Sequence, residues 1–109
     1  MSNEVIELAE FKLASGKTEA DLIAASERFQ KELLESQSGF ISRHLTRMSD
    51  GQYADVIVWR DMAAAEAIMA QIENSLACAD YFSVMALNPE NPSEGVSHFQ
   101  VLKIYKSAM

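Results

Sequence analysis

The sequence predicts an α+β fold built from two successive strand-helix-strand units. Three observations predict it: apolar residues alternate with polar ones in four segments, they recur at spacings of three and four in two others, and turn-forming residues separate the segments. The length of 109 residues favours a single domain over residues 1–109. The net charge of −7 argues against nucleic acid as a partner, because phosphate recognition requires clustered Lys and Arg.

Targeting and metal signals are missing from the sequence. The longest uncharged stretch, residues 81–89, is far short of a membrane span, and the N-terminus does not resemble a secretion signal. A cytoplasmic protein with no membrane partner is therefore expected. With one cysteine, Cys78, and two separated histidines, His44 and His98, the chain is expected to form neither a disulfide nor a zinc site.

The first unit begins with a strand predicted over residues 4–13, both sides of which carry apolar residues. Thr18 and Asp21 resemble a capping box and predict that a helix follows. This helix should end at residues 37–39, where Gly39 stops the pattern. Its apolar stripe, expected to face a sheet, consists of Leu22, Ile23, Phe29, Leu33 and Leu34, with the small residues Ala25 and Ser26 between them.

A hairpin is predicted next, with strands over residues 40–47 and 53–59 joined by a turn at residues 49–51. Asp61 can cap a second helix. The predicted core face of this helix, set by helical spacing, comprises Ala65, Ile68, Met69, Ile72 and Leu76.

The remaining segments complete the second unit. Residues 79–87 either continue the second helix or form a short separate one, and residues 88–95 are a loop by their Pro, Gly and Asn content. Residues 97–106 alternate like a last strand. The order strand, helix, strand, strand, helix, strand is the ferredoxin-like arrangement, a four-stranded antiparallel sheet with two helices on one face.

The sheet face without helices is expected to be apolar and therefore covered. Ala54, Val56 and Val58 are assigned to the helix side of the third strand, which leaves a mostly apolar set on the open side. This set is Tyr53, Asp55, Ile57 and Trp59, joined by Phe11. The apolar area that its three aromatic rings would expose is about as large as, or larger than, the largest apolar patch on a typical monomer. A homodimer through the open face, with a cavity between the two sheets, is the simplest prediction.

Four segments carry a family resemblance: FKLASGK (residues 11–17), SGFISRHL (38–45), DVIVWRDMAAAEA (55–67) and FQVLKIY (99–105). Together they make the chain resemble the dimeric α/β-barrel superfamily, in particular antibiotic biosynthesis monooxygenase-like domains. The resemblance implies dimers formed through the open sheet faces. It also implies a choice among cofactor-independent oxygenases of phenols or quinols, haem-degrading enzymes, isomerases and proteins without known activity, because a shared fold does not select one.

The motif residues of that family are only partly present. The cofactor-independent oxygenases place an Asn four residues before a Trp on the third strand, and this chain has Asp55 and Trp59 there. An amide can donate a hydrogen bond to an oxyanion, whereas an ionised carboxylate only accepts. The haem-degrading branch places a Trp and an iron-binding His on the second helix, and residues 63–76 contain neither.

The leading hypothesis is therefore a monooxygenase-like enzyme that needs no cofactor and acts on a small aromatic hydroxyl compound. Asp55 or His44 would remove the hydroxyl proton. The apolar wall around the substrate ring would be formed by Trp59, Tyr53, Phe11 and Ile57.

Several alternatives stay open. Asp55 could instead lie near the sheet edge, solvated or paired with Arg43 or Arg47, Trp59 could be an interface anchor, and His44 could be structural. At the level of function, the main alternative is a non-enzymatic ligand-binding or stress-associated dimer whose cavity its own side chains fill. A haem-binding relative is the third hypothesis.

Overall fold

The computed structural model describes residues 3–108 and contains one four-stranded sheet beside a layer of helices. The elements are β1 (Val5–Phe11), α1 (Glu19–Glu32), a 3₁₀ turn (Leu34–Ser36), β2 (Phe40–Arg47), β3 (Tyr53–Trp59), α2 (Met62–Ala67), α3 (Met69–Ile72), α4 (Leu76–Ser83) and β4 (Val96–Gln100). The strand order is β2-β3-β1-β4, and every neighbouring pair is antiparallel. The predicted ferredoxin-like fold class is confirmed.

Helix α1 begins as the sequence predicts. The Thr18 hydroxyl accepts a hydrogen bond from the Asp21 backbone N–H at 3.2 Å, and the Asp21 carboxylate accepts one from the Thr18 backbone N–H at 2.9 Å. Leu22 and Phe29 are buried as expected, but Ile23 is 47% exposed. Ile23 lies one residue beyond Leu22, about 100° around the helix, and this turns its side chain away from the sheet.

The second helical region consists of three short helices, not one long helix. Ala65 and Ile68 are buried as predicted, whereas Met69 and Leu76 are exposed. The predicted face fails at Leu76 because Ser75 starts a new helix and accepts a hydrogen bond from the Cys78 backbone N–H at 3.0 Å. Met69 begins the short helix α3, separate from α2, which carries Ala65. Helix α4 has its own direction and buries Ala77, Cys78 and Tyr81. The option of a separate helix after α2 is the one observed.

Strand β4 ends at Gln100, six residues earlier than predicted. Its partner β1 begins at Val5, which lies opposite Gln100, and the last ladder bond joins the Val101 N–H to the Glu4 carbonyl at 2.9 Å. Beyond that point there is no paired strand, and residues 101–108 have no regular structure.

The two faces of the sheet are the reverse of the prediction. In register, Trp59 lies opposite Val5 and Tyr53 lies opposite Phe11, so these residues share a face. That face packs against the helices: the core cluster joins β3 residues to Leu22 and other helical side chains. Apolar residues occur on both sides of β3, so alternation could not choose between them. The bulkier set occupies the helix-sheet layer, where more area is buried.

The open face, as we call the helix-free side of the sheet, is therefore built from the other set of residues. Its apolar part consists of Ile6, Leu8, Ala54, Val56, Val58 and Phe99. Ser42, His44 and Thr46 of β2 continue the same face with polar groups. No helix within residues 3–108 is long and apolar enough to cross a membrane.

Candidate functional site

Five of the six predicted site residues lie together on the helix-facing side of the sheet. They are Asp55, Trp59, Tyr53 and Ile57 of β3 and Phe11 of β1, and all five are buried. The sixth, His44, lies opposite Val56 on the open face and is exposed. The structure therefore places His44 on the opposite side of the sheet from Asp55. A cavity between two open faces would not contain the other five residues.

Asp55 forms a buried ion pair with Arg43. The Arg43 Nε donates to Asp55 Oδ1 at 2.9 Å and to Oδ2 at 3.1 Å, and Asp55 is 3% exposed. The Tyr81 hydroxyl donates to Asp55 Oδ2 at 2.7 Å. Of the alternatives considered for Asp55, pairing with Arg43 is observed and a solvated position at the edge is wrong.

The two terminal nitrogens of Arg43 donate hydrogen bonds to residues of helices α1 and α4. Nη2 donates to Ser26 Oγ at 2.6 Å and to the Tyr81 hydroxyl at 2.9 Å. Nη1 donates to the Ser26 carbonyl and to Gln30 Oε1, both at 3.3 Å. All five N–H groups of the guanidinium are thus engaged. The weakest contacts, judged by length, are those of Nη1.

Two aromatic rings flank the same guanidinium. Its central carbon lies 5.3 Å from the ring centre of Phe29 and 5.2 Å from that of Tyr81. These cation-π contacts add to the ion pair in the water-poor layer. Burial lowers the pKa of Arg43 and the Asp55 carboxylate raises it, and the balance lies above the ordinary value. Burial, together with the charge of Asp55, raises the pKa of Tyr81 well above 10.0.

Trp59 is fully buried, yet its indole Nε1 has no hydrogen-bond partner within residues 3–108. Its ring meets Phe40 edge to face, with centres 6.0 Å apart. A buried donor without an acceptor is rare in proteins and calls for an explanation such as water or a ligand. Trp59 and Asp55 are four residues apart on one strand, so about 13 Å of strand separates them, with Ile57 between.

Tyr53 and Phe11 close the other end of the same face. Their rings stack with centres 5.9 Å apart, and the Tyr53 hydroxyl donates to the Glu19 carboxylate at 3.1 Å. Arg47 also donates to Glu19, at 2.9 Å. Loss of hydration and the bond to Glu19 raise the pKa of Tyr53.

The remaining titratable candidates lie elsewhere. His98 Nε2 lies 3.2 Å from the Glu7 carboxylate near the uncovered β4 edge. Cys78 is fully buried, and burial raises its pKa to about 11, which leaves the thiol protonated and unreactive near neutrality. Across the described part of the chain, no group of three or more His, Cys, Asp or Glu side chains could hold a metal ion.

Two of the surface clefts formed by residues 3–108 lie beside α1. The first, here called the α1–β2 cleft, has a volume of about 320 Å³ and is lined by Ser26, Glu27, Gln30, Lys31, Glu35, Arg43 and Leu45. The second, of about 540 Å³, lies between α1 and the α3–α4 region and includes Arg28 and Leu76. Trp59 lines neither of these clefts.

Sequence reasoning missed Tyr81, Ser26 and Gln30, which complete the network around Asp55. Arg43 is one of the partners that the sequence predicts for Asp55, because it lies on the neighbouring strand. The partners on α1 and α4 are 17 to 38 residues away from Arg43 along the chain. No local pattern links residues so far apart, so only the packing of the helices onto the sheet could identify them.

Comparisons with known proteins agree with the fold. No family model and no curated protein sequence matches the chain. Among solved structures, SnoaB from Streptomyces nogalater, a cofactor-independent oxygenase studied as a point variant, is 18% identical, with a TM-score of 0.72, over 97% of this chain and 100% of that one. A Caulobacter crescentus protein provisionally described as an antibiotic biosynthesis monooxygenase is 16% identical, with a TM-score of 0.71, over 94% and 92%.

A third structure belongs to a protein of unknown function. NE2512 from Nitrosomonas europaea is 14% identical, with a TM-score of 0.65, over 97% of this chain and 96% of that one. At these identities the comparisons establish the fold alone, which the chain shares with SnoaB and with the Caulobacter crescentus protein. They do not select an activity.

Proposed function

We propose that the chain is a monooxygenase-like enzyme that uses no cofactor and oxidises a small phenol- or quinol-type compound. The proposed site is the helix-sheet layer around Asp55 and Trp59, not a cavity between two sheets. The side chains of this layer pack together and would have to separate to admit a substrate. The observation that carries the proposal is the buried, unpartnered indole N–H of Trp59 on the same strand face as Asp55. The shared fold with SnoaB supports it.

The Trp59 N–H is a donor already removed from water. A hydrogen bond from such a donor to an oxygen atom of a bound molecule replaces no bond to solvent, so the gain is larger than at the surface. Charge that develops on an oxygen during reaction would be stabilised most strongly there. Asp55 lies about 13 Å from Trp59 along β3, so the two groups would contact opposite ends of one substrate: Asp55 would accept the proton of one hydroxyl, and the Trp59 N–H would bond an oxygen at the other end.

The chemistry balances without a further reagent. Asp55 accepts the hydroxyl proton, and the resulting phenolate transfers one electron to dioxygen. Recombination of the two radicals forms a C–O bond at the ring carbon and leaves a peroxide anion. Breakage of the O–O bond with loss of the ring hydrogen yields a quinone and hydroxide, which takes the proton back from Asp55 to form water. The sum is a phenol plus O₂ giving a quinone plus H₂O. The Tyr81 hydroxyl and Arg43 hold the carboxylate in place during these steps.

The protein is also proposed to act as a homodimer. Ile6, Val56 and Val58 are half-buried on the open face, and Phe99 beside them is 51% exposed. A second copy of the same face would cover this apolar area with a symmetric contact.

Oxygen uptake tests the proposal directly. Purified protein is screened against phenols and quinols, and Asp55→Asn and Trp59→Phe are compared with Asp50→Asn, which removes the same charge from an exposed turn. Loss of a general base typically lowers turnover about 10²- to 10⁴-fold. Turnover in Asp55→Asn equal to that of the unaltered chain, with the fold intact by circular dichroism, rejects Asp55 as the base. No oxygen uptake with any member of the panel rejects the activity.

The non-enzymatic alternative has its own supporting observation. Phe11, Tyr53, Ile57 and Trp59 fill the helix-sheet layer and pack in one cluster with Leu22 and other helical side chains. This packing leaves no open space for a substrate in the helix-sheet layer, which favours a function without catalysis there. Absence of oxygen uptake from a stable, folded dimer favours that second function.

A further inference from the structure

The last predicted strand is longer than the strand that the chain pairs with itself. Alternation predicts a strand over residues 97–106, but β1 begins at Val5 and pairs with β4 only as far as Gln100. Residues 101–106, here called the β4 extension, have the sequence VLKIYK, in which Val, Ile and Tyr favour strands. No backbone hydrogen bond joins residues 102–106 to another residue between 3 and 108. The β4 extension is therefore a strand sequence without a partner strand in its own chain.

Both sides of the β4 extension carry exposed apolar side chains. Leu102 is 76% exposed, Ile104 46% and Tyr105 82%. Because alternate residues of a strand share a face, Tyr105 continues the open-face side of Phe99. Leu102 and Ile104 continue the helix-facing side. Strands with apolar residues on both sides are typically covered on both sides, so we expect a partner to cover this one.

A second copy of the chain offers the free edge that such a strand requires. An extended segment joins a sheet by bonding to the exposed backbone groups of an edge strand. The two edge strands of this sheet are β2 and β4. Strand β2 has eight residues and β4 has five, so only β2 can pair with all six residues of the β4 extension. In a symmetric dimer the contact is reciprocal, since each copy supplies one extension and one β2 edge.

The symmetry of a dimer through the open faces sets the direction of the added strand. A twofold axis parallel to the strands turns one sheet over, so that β4 of one copy lies over β2 of the other. Such an axis leaves strand directions unchanged. Three antiparallel pairings separate β4 from β2, so the two strands run in opposite directions. The β4 extension therefore approaches the β2 strand of the other copy in the antiparallel sense.

The β4 extension and the β2 edge carry opposite charges. The extension has two lysines and no acidic residue, in a chain whose net charge is −7. The α1–β2 cleft lies along the β2 edge, and its rim carries Glu27 and Glu35 against the single ammonium group of Lys31. The Arg43 guanidinium in the same wall is already balanced by Asp55. The charges therefore favour the β2 edge of another copy as the partner of the extension.

The α1–β2 cleft also offers an apolar contact to an added strand. Because β2 is the outermost strand, the cleft between it and α1 opens at the edge of the sheet. A strand bonded to β2 would lie across this opening, with Leu102 and Ile104 on the helix-facing side. Leu45 of β2 is in the cleft wall on that same side. The apolar side chains of the two strands would then cover one another.

We propose that the β4 extension of each copy adds as an antiparallel strand to the β2 edge of the other copy. Leu102 and Ile104 cover Leu45 at the α1–β2 cleft, and Tyr105 extends the open face that the dimer buries. The exchange also removes the free β2 edge, which would otherwise be a template for non-specific strand pairing. The inference rests on the proposed homodimer and does not depend on the proposed oxygenase activity.

Isotope-filtered nuclear Overhauser spectra test the pairing directly. Dimers are formed from equal amounts of isotope-labelled and unlabelled chain, so that only contacts between two copies are recorded. Contacts from residues 101–106 to residues 40–47 are expected, including methyl contacts of Leu102 or Ile104 with Leu45. A dimer in which residues 101–106 contact no residue of the other copy, or contact β4 in place of β2, overturns the inference and leaves the homodimer standing. A monomeric unaltered chain overturns both.

Leu102→Asp and Leu76→Asp form a matched pair of variants. The two leucines are 76% and 77% exposed in the single chain, so neither change should disturb the fold. Sedimentation over a series of concentrations gives the dissociation constant of the dimer. Leu102→Asp should raise it at least about tenfold, as expected for the loss of one large apolar side chain from an interface, and Leu76→Asp should leave it unchanged. An unchanged constant in Leu102→Asp, or an equal rise in both variants, contradicts the proposed exchange.

Discussion

The Arg43 Nε lies 2.9 Å and 3.1 Å from the two carboxylate oxygens of Asp55, in the layer between the helices and the sheet. Both side chains are almost completely buried, at 7% and 4% exposed. Burial of two charges is expensive, and a pair is stable only if its other hydrogen-bonding groups are also satisfied. Ser26, Gln30 and Tyr81 meet this condition and join β2 and β3 to helices α1 and α4.

Breaking this pair should be strongly destabilising. Arg43→Met leaves the Asp55 carboxylate buried without its cation, and we expect a loss of about 3–5 kcal/mol in the free energy of unfolding. Asp55→Leu should cost a similar amount for the converse reason. Urea denaturation measures both.

The double variant Arg43→Met with Asp55→Leu measures how strongly the two side chains stabilise each other. It should lose much less than the sum of the two single variants, because neither buried charge is left alone. Arg47→Met, which removes a cation of an exposed pair with Glu19, is the matched control and should change stability by at most about 1 kcal/mol. Additive losses in the double variant would show that the two side chains are not energetically coupled.

The stability of the protein should fall at alkaline pH because of Cys78. Burial raises its pKa in the folded chain from 9.0 to about 11, so the folded state retains a proton that the unfolded state releases. This contribution is complete below pH 9 and is lost as the pH rises through about 11. With about 1.4 kcal/mol for each pKa unit, the loss amounts to about 2–3 kcal/mol.

Cys78→Ala tests this assignment. Unfolding free energies measured between pH 8 and pH 11 should fall less steeply in the variant than in the unaltered chain. Tyr81 acts in the same direction above its ordinary value of 10.0, so the difference between the two proteins between pH 9 and pH 10 is the informative quantity. Identical slopes in that interval would exclude Cys78 as the source.

The homodimer proposal predicts a defined effect of a charge on the open face. Val58→Lys puts an ammonium group in the apolar centre of that face and should convert a dimer of twice 12.1 kDa into a monomer at micromolar concentration. Leu76→Lys is the control, since Leu76 is 77% exposed on the helix layer. Sedimentation measures the mass. A monomeric unaltered chain would remove the basis of the dimer.

Patterns within a few residues of sequence correctly predict the bounds of two strands and the start of α1. The bounds of β2 and β3 are those predicted, and the α1 cap is as expected, because alternation, turn residues and a capping box act within a few positions. The prediction of one second helix is wrong because Ser75 caps a new helix and interrupts the apolar spacing that joins Ile68 to Leu76. A helix cap such as Ser75 indicates a break where the spacing of apolar residues indicates one continuous helix. The sequence alone does not show which of the two signals determines the structure.

The sequence predicts which residues of the candidate site lie together, but not which side of the sheet they occupy. Asp55, Trp59, Tyr53, Phe11 and Ile57 are gathered on one face, as alternation requires, but that face meets the helices. His44 belongs to the opposite face, so it cannot share a site with Asp55 in one chain. The roles assigned to these residues stay predictions.

The order of strands and helices, and the set of β3 residues that share a face, follow from the amino-acid pattern, since both depend on interactions between near neighbours along the chain. Which face the helices cover, and which groups surround Asp55, follow only from the packing of the helices on the sheet. Those outcomes depend on burying the bulkier side chains and on bringing Arg43, Ser26 and Tyr81 together from distant positions. Such contacts form only when the helices pack on the sheet, and no local pattern records them.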